Sequence, residues 1–213
     1  MTTTGEGASM DGEKAARLER MAEEVRNLEA SPLFAYRKEN GYQPVFGEGD
    51  PDADLMLIGE APGAQEAQTG RPFVGRAGRV LDALLESIDI QREDVYITNV
   101  VKDRPPGNRD PRAEEIQAYA PFLLRQIEVI EPRVIATLGR FAAAFVIGEY
   151  DLPRRSRRMG DLHGQVLEAH LPYGEVQVVP LYHPAAAFYN PDLEDVLQED
   201  VQVLERVLAG GSG

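Results

Sequence analysis

Apolar residues recur along this chain with two periods. Leu18, Met21, Ala22, Val25 and Leu28 follow one another at helical spacing, which predicts a first helix ending near Ser31 and Pro32. Short continuous apolar runs at 55–58, 95–101, 134–138 and 176–181 predict four buried strands. Amphipathic stretches lie between and after them: Leu81, Leu84, Leu85 and Ile88; Ile116, Leu123, Ile127 and Ile130; an apolar segment from Gly139 through Phe145; and Leu193, Val196, Leu197, Val201, Leu204 and Leu208. Asp110 as cap with Pro111 at the first helical position predicts one helix start, and Asn190 with Pro191 predicts another. Pro121 inside its helix predicts a kink or a break.

Strands that alternate with helices imply a parallel sheet covered on both faces. The expected fold is α/β, a three-layer α/β/α arrangement with a central four-stranded parallel sheet. A single domain over residues 13–209 is expected, with tails at 1–12 and 210–213, where apolar residues are sparse. Open α/β sheets bind ligands beyond the carboxyl ends of their strands. The chemically unusual residues follow strand ends: the glycine-rich turn from Gly59 to Gly78, the turn from Lys102 to Arg109, and Tyr182-His183-Pro184-Ala185.

The composition narrows the chemistry. Among 213 residues there is no cysteine, which excludes disulfides, thiolate metal sites and cysteine nucleophiles. His163, His170 and His183 are too scattered to suggest a metal site. No apolar run is long enough to cross a bilayer and the first residues lack the order of a signal peptide, so a soluble, cytoplasmic protein is expected. The formal net charge of -14 accompanies a preference for arginine, since the only lysines are Lys14, Lys38 and Lys102. Such acidity is expected of a halophilic protein, the alternative being an ordinary acidic one. The dense basic cluster, Arg154-Arg155-Ser156-Arg157-Arg158, reads equally as a solvated loop.

Three motifs in order now acquire a common meaning. Gly59-Glu60-Ala61-Pro62-Gly63 with Gly70-Arg71-Pro72-Phe73-Val74-Gly75, the segment from Thr98 through Asn99 to Pro111, and Tyr182-His183-Pro184-Ala185-Ala186 resemble the family-four uracil-DNA glycosylases, the thermostable bacterial and archaeal type. The resemblance spans roughly Val45 to Pro191. It implies a monofunctional enzyme of base excision repair, which flips uracil out of DNA and hydrolyses its N-glycosidic bond to leave an abasic site. It further implies Phe73 as the ring that stacks on uracil and Asn99 as the amide that reads it, one side chain offering both a donor and an acceptor. His183 would donate to uracil O2 as negative charge develops, and Glu60 would hold the attacking water and stabilise the positive sugar. The Ala61 backbone would touch the base, and Glu66 would block the 5-methyl of thymine. Arg71, Arg76, Lys102, Arg104 and Arg109 are expected on phosphates. DNA is the implied partner of a monomeric protein, with a sliding clamp as a further one.

Two departures from the family stand out. Where it continues the histidine motif with an apolar wedge of leucines, this chain has Phe188 and Tyr189, so an aromatic wedge into the duplex is expected. Where it holds a four-iron cluster on four cysteines, the corresponding places fall near Leu28, Ser31, Asp103 and Tyr119. An iron-free protein without cofactor is therefore expected, with Leu28 and Tyr119 packed in the cluster's place. Two other readings stay open: a degenerate relative that binds uracil or DNA without cleaving, and a nucleotide-binding α/β protein with no role on DNA.

Overall fold

A computed structural model describes residues 10–153 and 158–210. Most of the basic cluster, residues 154–157, and most of the two expected tails, 1–9 and 211–213, lie outside these described residues.

The sheet has six strands in the order β1-β3-β2-β4-β6-β5. Its centre is the expected parallel set: β3 (Tyr96–Asn99), β2 (Leu55–Gly59), β4 (Val134–Leu138) and β6 (Gly174–Leu181). Each edge adds an antiparallel strand, β1 (Glu48–Gly49) against β3 and β5 (Leu167–Leu171) against β6. The sheet is therefore mixed and six-stranded, not four-stranded and parallel. The β5 edge needs no crossover helix, since β5 reaches β6 through a tight hairpin between Leu171 and Gly174.

Side chains of β2 alternate between two cores. Met56 and Ile58 pack with α1 (Met10–Arg26), α5 (Ala113–Ile130) and α6 (Arg140–Glu149). Leu55 and Leu57 pack with α4 (Arg76–Glu86) and α8 (Leu193–Gly210). All four strand residues are essentially inaccessible, and each such burial contributes roughly 1.5–3 kcal/mol. Helices thus cover both faces, and every loop leaving a parallel strand opens at the same edge.

Several helix ends differ from expectation for identifiable reasons. The first helix stops at Arg26, and a separate short helix, α2 (Phe34–Glu39), follows. Helix α5 begins two residues after Pro111, because the carboxylate of Glu115 accepts the Arg112 N–H at 2.8 Å and makes that residue the cap. Asp110 is thereby left outside the helix. Helix α5 also runs through Pro121 unbroken; the proline is exposed, where water can satisfy the freed carbonyl. Helix α8 starts at Leu193, since the Asn190 side chain accepts the N–H of Asp192 in the turn ahead of it. Helix α1 extends back to Met10, and α8 reaches Gly210. Two further short helices, α3 (Ala64–Thr69) and α7 (Met159–Leu162), complete the set.

Candidate functional site

At the carboxyl edge of the parallel strands a cavity of about 480 Å³ opens between the loops. Glu60, Ala61, Glu66, Phe73, Asn99 and His183 all line it, with Asn108, Arg109 and Tyr189 among the residues at its wall. A larger groove of about 610 Å³, between α8 and the β5–β6 hairpin, gathers none of these groups.

The turn after β2 is built to hold Phe73 in an unfavourable conformation. Its φ is +48°, and its ring is 7% exposed. Two side chains fasten the surrounding backbone. One carboxylate oxygen of Glu66, on α3, accepts the N–H groups of Val74 and Gly75 at 3.0 and 2.8 Å. The guanidinium of Arg92 donates to the carbonyls of Phe73 and Pro72, while Glu48 and Asp82 hold it in turn. Glycine clears the remaining space. A Cβ at Gly78 would lie 1.8 Å from the Phe73 carbonyl oxygen, and one at Gly59 would lie 2.3 Å from Asn99 Oδ1 and 2.7 Å from Phe73 Cζ. Glu66 therefore has a structural task beyond lining the cavity. Arg92 was not expected from sequence, because its contacts are long-range.

Asn99, the last residue of β3, is 2% exposed and lies beside Phe73 over Gly59. His183 stacks on Phe73 with ring centroids 5.7 Å apart. Its Nδ1 accepts the N–H of Ala185 at 3.1 Å, which leaves the proton of the neutral ring on Nε2. Burial, opposed by Glu66, lowers its pKa to about 4, so the ring is a neutral donor at physiological pH.

Glu60 follows β2 directly. Burial raises its pKa to about 7, the negative charge of Asp110 adds to this, and Arg140 opposes it. Asp110 and Arg140 pair with each other at 2.5 Å on the surface nearby. The carboxyl group is thus poised between its two protonation states, the condition in which a residue can exchange protons or acquire charge during a reaction.

The five expected phosphate contacts separate. Arg71 is exposed but paired with Glu48 at 2.8 Å, and Arg109 is paired with the buried Glu115 at 2.5 Å. Arg76 lies over the ring of Phe188 at 3.9 Å, and Arg104 donates to the neutral Tyr42 and Asn108 side chains. Lys102 is a correction: it is 0% exposed and reaches no phosphate, because its Nζ is enclosed by Thr98, Asn99 and Gln126. Of the expected wedge, Tyr189 is 88% exposed at the cavity, whereas Phe188 is half-buried beneath Arg76.

The residues at the places the family gives to its cluster do not fit one. Tyr119 is fully buried, and its hydroxyl lies 2.7 Å from Ser31 Oγ and donates to Asp103 at 2.5 Å. Arg37 closes the group, binding both oxygens of Asp103 at 3.1 and 3.2 Å and the carbonyls of Val25 and Arg26. Leu28 packs against the adjoining core. These oxygens satisfy one another around a guanidinium, an arrangement that disfavours any further cation. Among the described residues no cluster of three or more histidine, aspartate or glutamate side chains is arranged to hold a metal ion. Nor is any described helix long and apolar enough to cross a membrane.

The chain is similar to known proteins over most of its length. The chain is 42% identical to the type-4 uracil-DNA glycosylase of Saccharolobus solfataricus, over 90% of this chain and 87% of that protein. It is 44% identical to the type-4 enzyme of Archaeoglobus fulgidus over 78% of this chain and 81% of that one. Against the type-4 enzyme of Thermotoga maritima it is 40% identical, over 87% and 91%. Residues 46–205 match the family described as the uracil DNA glycosylase superfamily, to which this chain belongs.

Proposed function

We propose that this protein is a monofunctional uracil-DNA glycosylase, which turns uracil out of DNA into the cavity at the carboxyl edge of the sheet and hydrolyses its N-glycosidic bond. The observation that carries this reading is the convergence of Glu60, Phe73, Asn99 and His183 on one cavity, with the imidazole a neutral Nε2–H donor. Extruding the base costs a few kcal/mol, offset in a pocket that stacks the ring and reads its edge. Phe73 supplies the stacking surface, and the Asn99 amide matches the donor and acceptor of uracil while mismatching those of cytosine. As the bond breaks, His183 donates to O2 of the departing anion without giving up its proton. Glu60, once ionised, aligns the water and faces the positive sugar. Ala61 contributes its backbone, and Glu66 holds the Phe73 turn closed where a 5-methyl group would enter.

Arg76 and Arg104 are the expected cations that are neither enclosed, as Lys102 is, nor paired with a carboxylate among the described residues, so the grip on phosphate falls mainly on them, with Arg71 and Arg109 in support. Tyr189 is the side chain that enters the duplex, and Phe188 is its anchor. The acidic surface supports a protein suited to high salt, which screens self-repulsion. No iron is required: the buried group around Asp103 takes over the tie between the N-terminal helices and the loop after β3.

The test is release of uracil from a labelled U:G oligonucleotide, followed by alkali, at low and at multimolar KCl. Strand breakage only after alkali is expected, with greater activity and stability in salt. Absence of uracil release by folded protein at every salt concentration would overturn the reading in favour of a binding-only relative.

A further inference from the structure

Of the buried charged side chains that the mechanism above leaves unused, Arg37, Asp103, Glu115 and Asp200 each sit in an ion pair, and Lys102 does not. Lys102 lies just beyond β3, and its side chain curls back so that Nζ donates to the carbonyl oxygen of Asn99 at 2.8 Å. Two other neighbours complete its surroundings, Thr98 Oγ1 at 2.7 Å and Gln126 Oε1 at 2.5 Å. Among the described residues it forms no ion pair, and the ring of Phe46 lies 5.6 Å from Nζ.

Hydrogen-bond bookkeeping fixes the charge of this group. The Thr98 hydroxyl gives its own proton to the Phe46 carbonyl at 2.7 Å, so towards lysine it can only accept. Gln126 donates through Nε2 to the same carbonyl and to Tyr96 Oη, which orients its Oε1 towards Nζ. The Asn99 carbonyl is an acceptor by nature. A neutral amine has two protons and a lone pair, and here the lone pair would face an oxygen; an ammonium has three protons for three acceptors. Burial pulls the pKa of this lysine well down, and the complete set of acceptors opposes loss of the proton.

We propose that Lys102 is a buried, carboxylate-free ammonium that fixes the uracil-reading end of β3 and supplies a standing positive potential behind the base as it departs as an anion. This rests on the glycosylase reading given above. The first task follows from contact: the same segment is tied to the β2 turn by Val100 N–H to Gly59 O and Val101 N–H to Glu60 O, and Lys102 closes its other side. The second follows from burial, since a charge enclosed by neutral dipoles is little screened by water. Lys102 touches neither base nor sugar, so it is a positioning residue. Its enclosure also denies it to the abasic sugar as an amine nucleophile, in keeping with a monofunctional enzyme.

Leaving-group dependence separates the electrostatic task from mere structural support. The fluorine of 5-fluorouracil stabilises the departing anion by itself, so this base needs less help from the protein. Single-turnover release of uracil and of 5-fluorouracil is measured from the same oligonucleotide with the unmodified protein, Lys102→Met and Gln126→Glu. The second variant retains the lysine and neutralises it with a carboxylate at the Gln126 position. Both variants are expected to slow uracil release by about tenfold to a hundredfold, below the cost of losing a direct donor, and to slow 5-fluorouracil by a clearly smaller factor. Equal slowing of both bases in both variants, or an unmodified uracil rate in Gln126→Glu, would overturn the proposal. No release by the unmodified protein would sink the glycosylase reading itself, and this inference with it.

Discussion

The imidazole of His183 stacks on the ring of Phe73, with 5.7 Å between centroids and 29° between planes, while its Nδ1 is occupied by the N–H of Ala185. A change of tautomer would cost the ring its Ala185 contact, and turning the ring out of this plane would cost the stacking on Phe73. His183→Ala is expected to slow uracil release by about 10²- to 10³-fold in single turnover, the usual cost of one donor to a developing anion. Because burial lowers the pKa of His183 to about 4, protonation of this ring contributes no limb to the rate profile above pH 5. A histidine limb near pH 6.5 that disappears in the variant would contradict the neutral-donor assignment.

Glu60 sets the acid limb instead. With its pKa raised to about 7 by burial and by Asp110, release should rise about tenfold per pH unit below 7 and level off above it. Asp110→Asn removes the repulsion and should move the limb to lower pH; Arg140→Met should move it higher. The stability sign is also fixed. A pKa raised on folding contributes stability that is full below the unfolded value of 4.5 and lost as pH rises through about 7. Glu60→Gln should therefore melt higher than the unmodified protein at pH 8 and nearly equally at pH 4. Thermal unfolding at the two pH values checks this.

The parts of this fold that could be read in the sequence are those whose surroundings are uniform. The parallel strands are buried on both faces and stand out as unbroken apolar runs. The edge strands escape notice: β1 has two residues, and β5 alternates Leu167, Ala169 and Leu171 with the exposed Glu168 and His170, a period-two signal easily taken for loop. At the site, motif residues at strand ends could be identified, but their partners could not. Lys102 reads as a surface cation because nothing local announces that Gln126, a helix away, encloses it. Asp110 reads as a helix cap because Pro111 follows, until Glu115 binds the Arg112 N–H, makes Arg112 the cap and leaves Asp110 beside Arg140.

The group of Ser31, Arg37, Asp103 and Tyr119 is expected to behave as one unit. Asp103→Asn leaves the 3%-exposed Arg37 as an unpaired buried charge and should cost about 3–5 kcal/mol in urea unfolding. Tyr119→Phe removes the hydroxyl shared by Ser31 and Asp103 and should cost about 1–3 kcal/mol. The double variant should cost clearly less than the sum, because both substitutions act on the same oxygen of Asp103. Strict additivity would mean that the two contacts are independent. Prolonged treatment with an iron chelator should leave the melting temperature of the unmodified protein unchanged.

Phe188 and Tyr189 are neighbours with opposite surroundings, and they should fail in different ways. Tyr189 is 88% exposed at the cavity, where a ring has nothing to gain from water and can fill the space left by an extruded base. Tyr189→Ala should slow release from duplex DNA by about tenfold, within the range for one lost stacking contact, and leave single-stranded substrate nearly unaffected. Phe188 instead supports Arg76 at 3.9 Å, so Phe188→Ala should resemble Arg76→Gln and weaken binding to both substrates. Salt distinguishes the two mechanisms. Phosphate contacts are screened by multimolar KCl and stacking is not, so the Arg76→Gln and Arg104→Gln losses should shrink as KCl rises while the Tyr189→Ala duplex defect persists. A Tyr189→Ala defect equal on duplex and single strand would instead make Tyr189 part of the cavity wall, not the wedge.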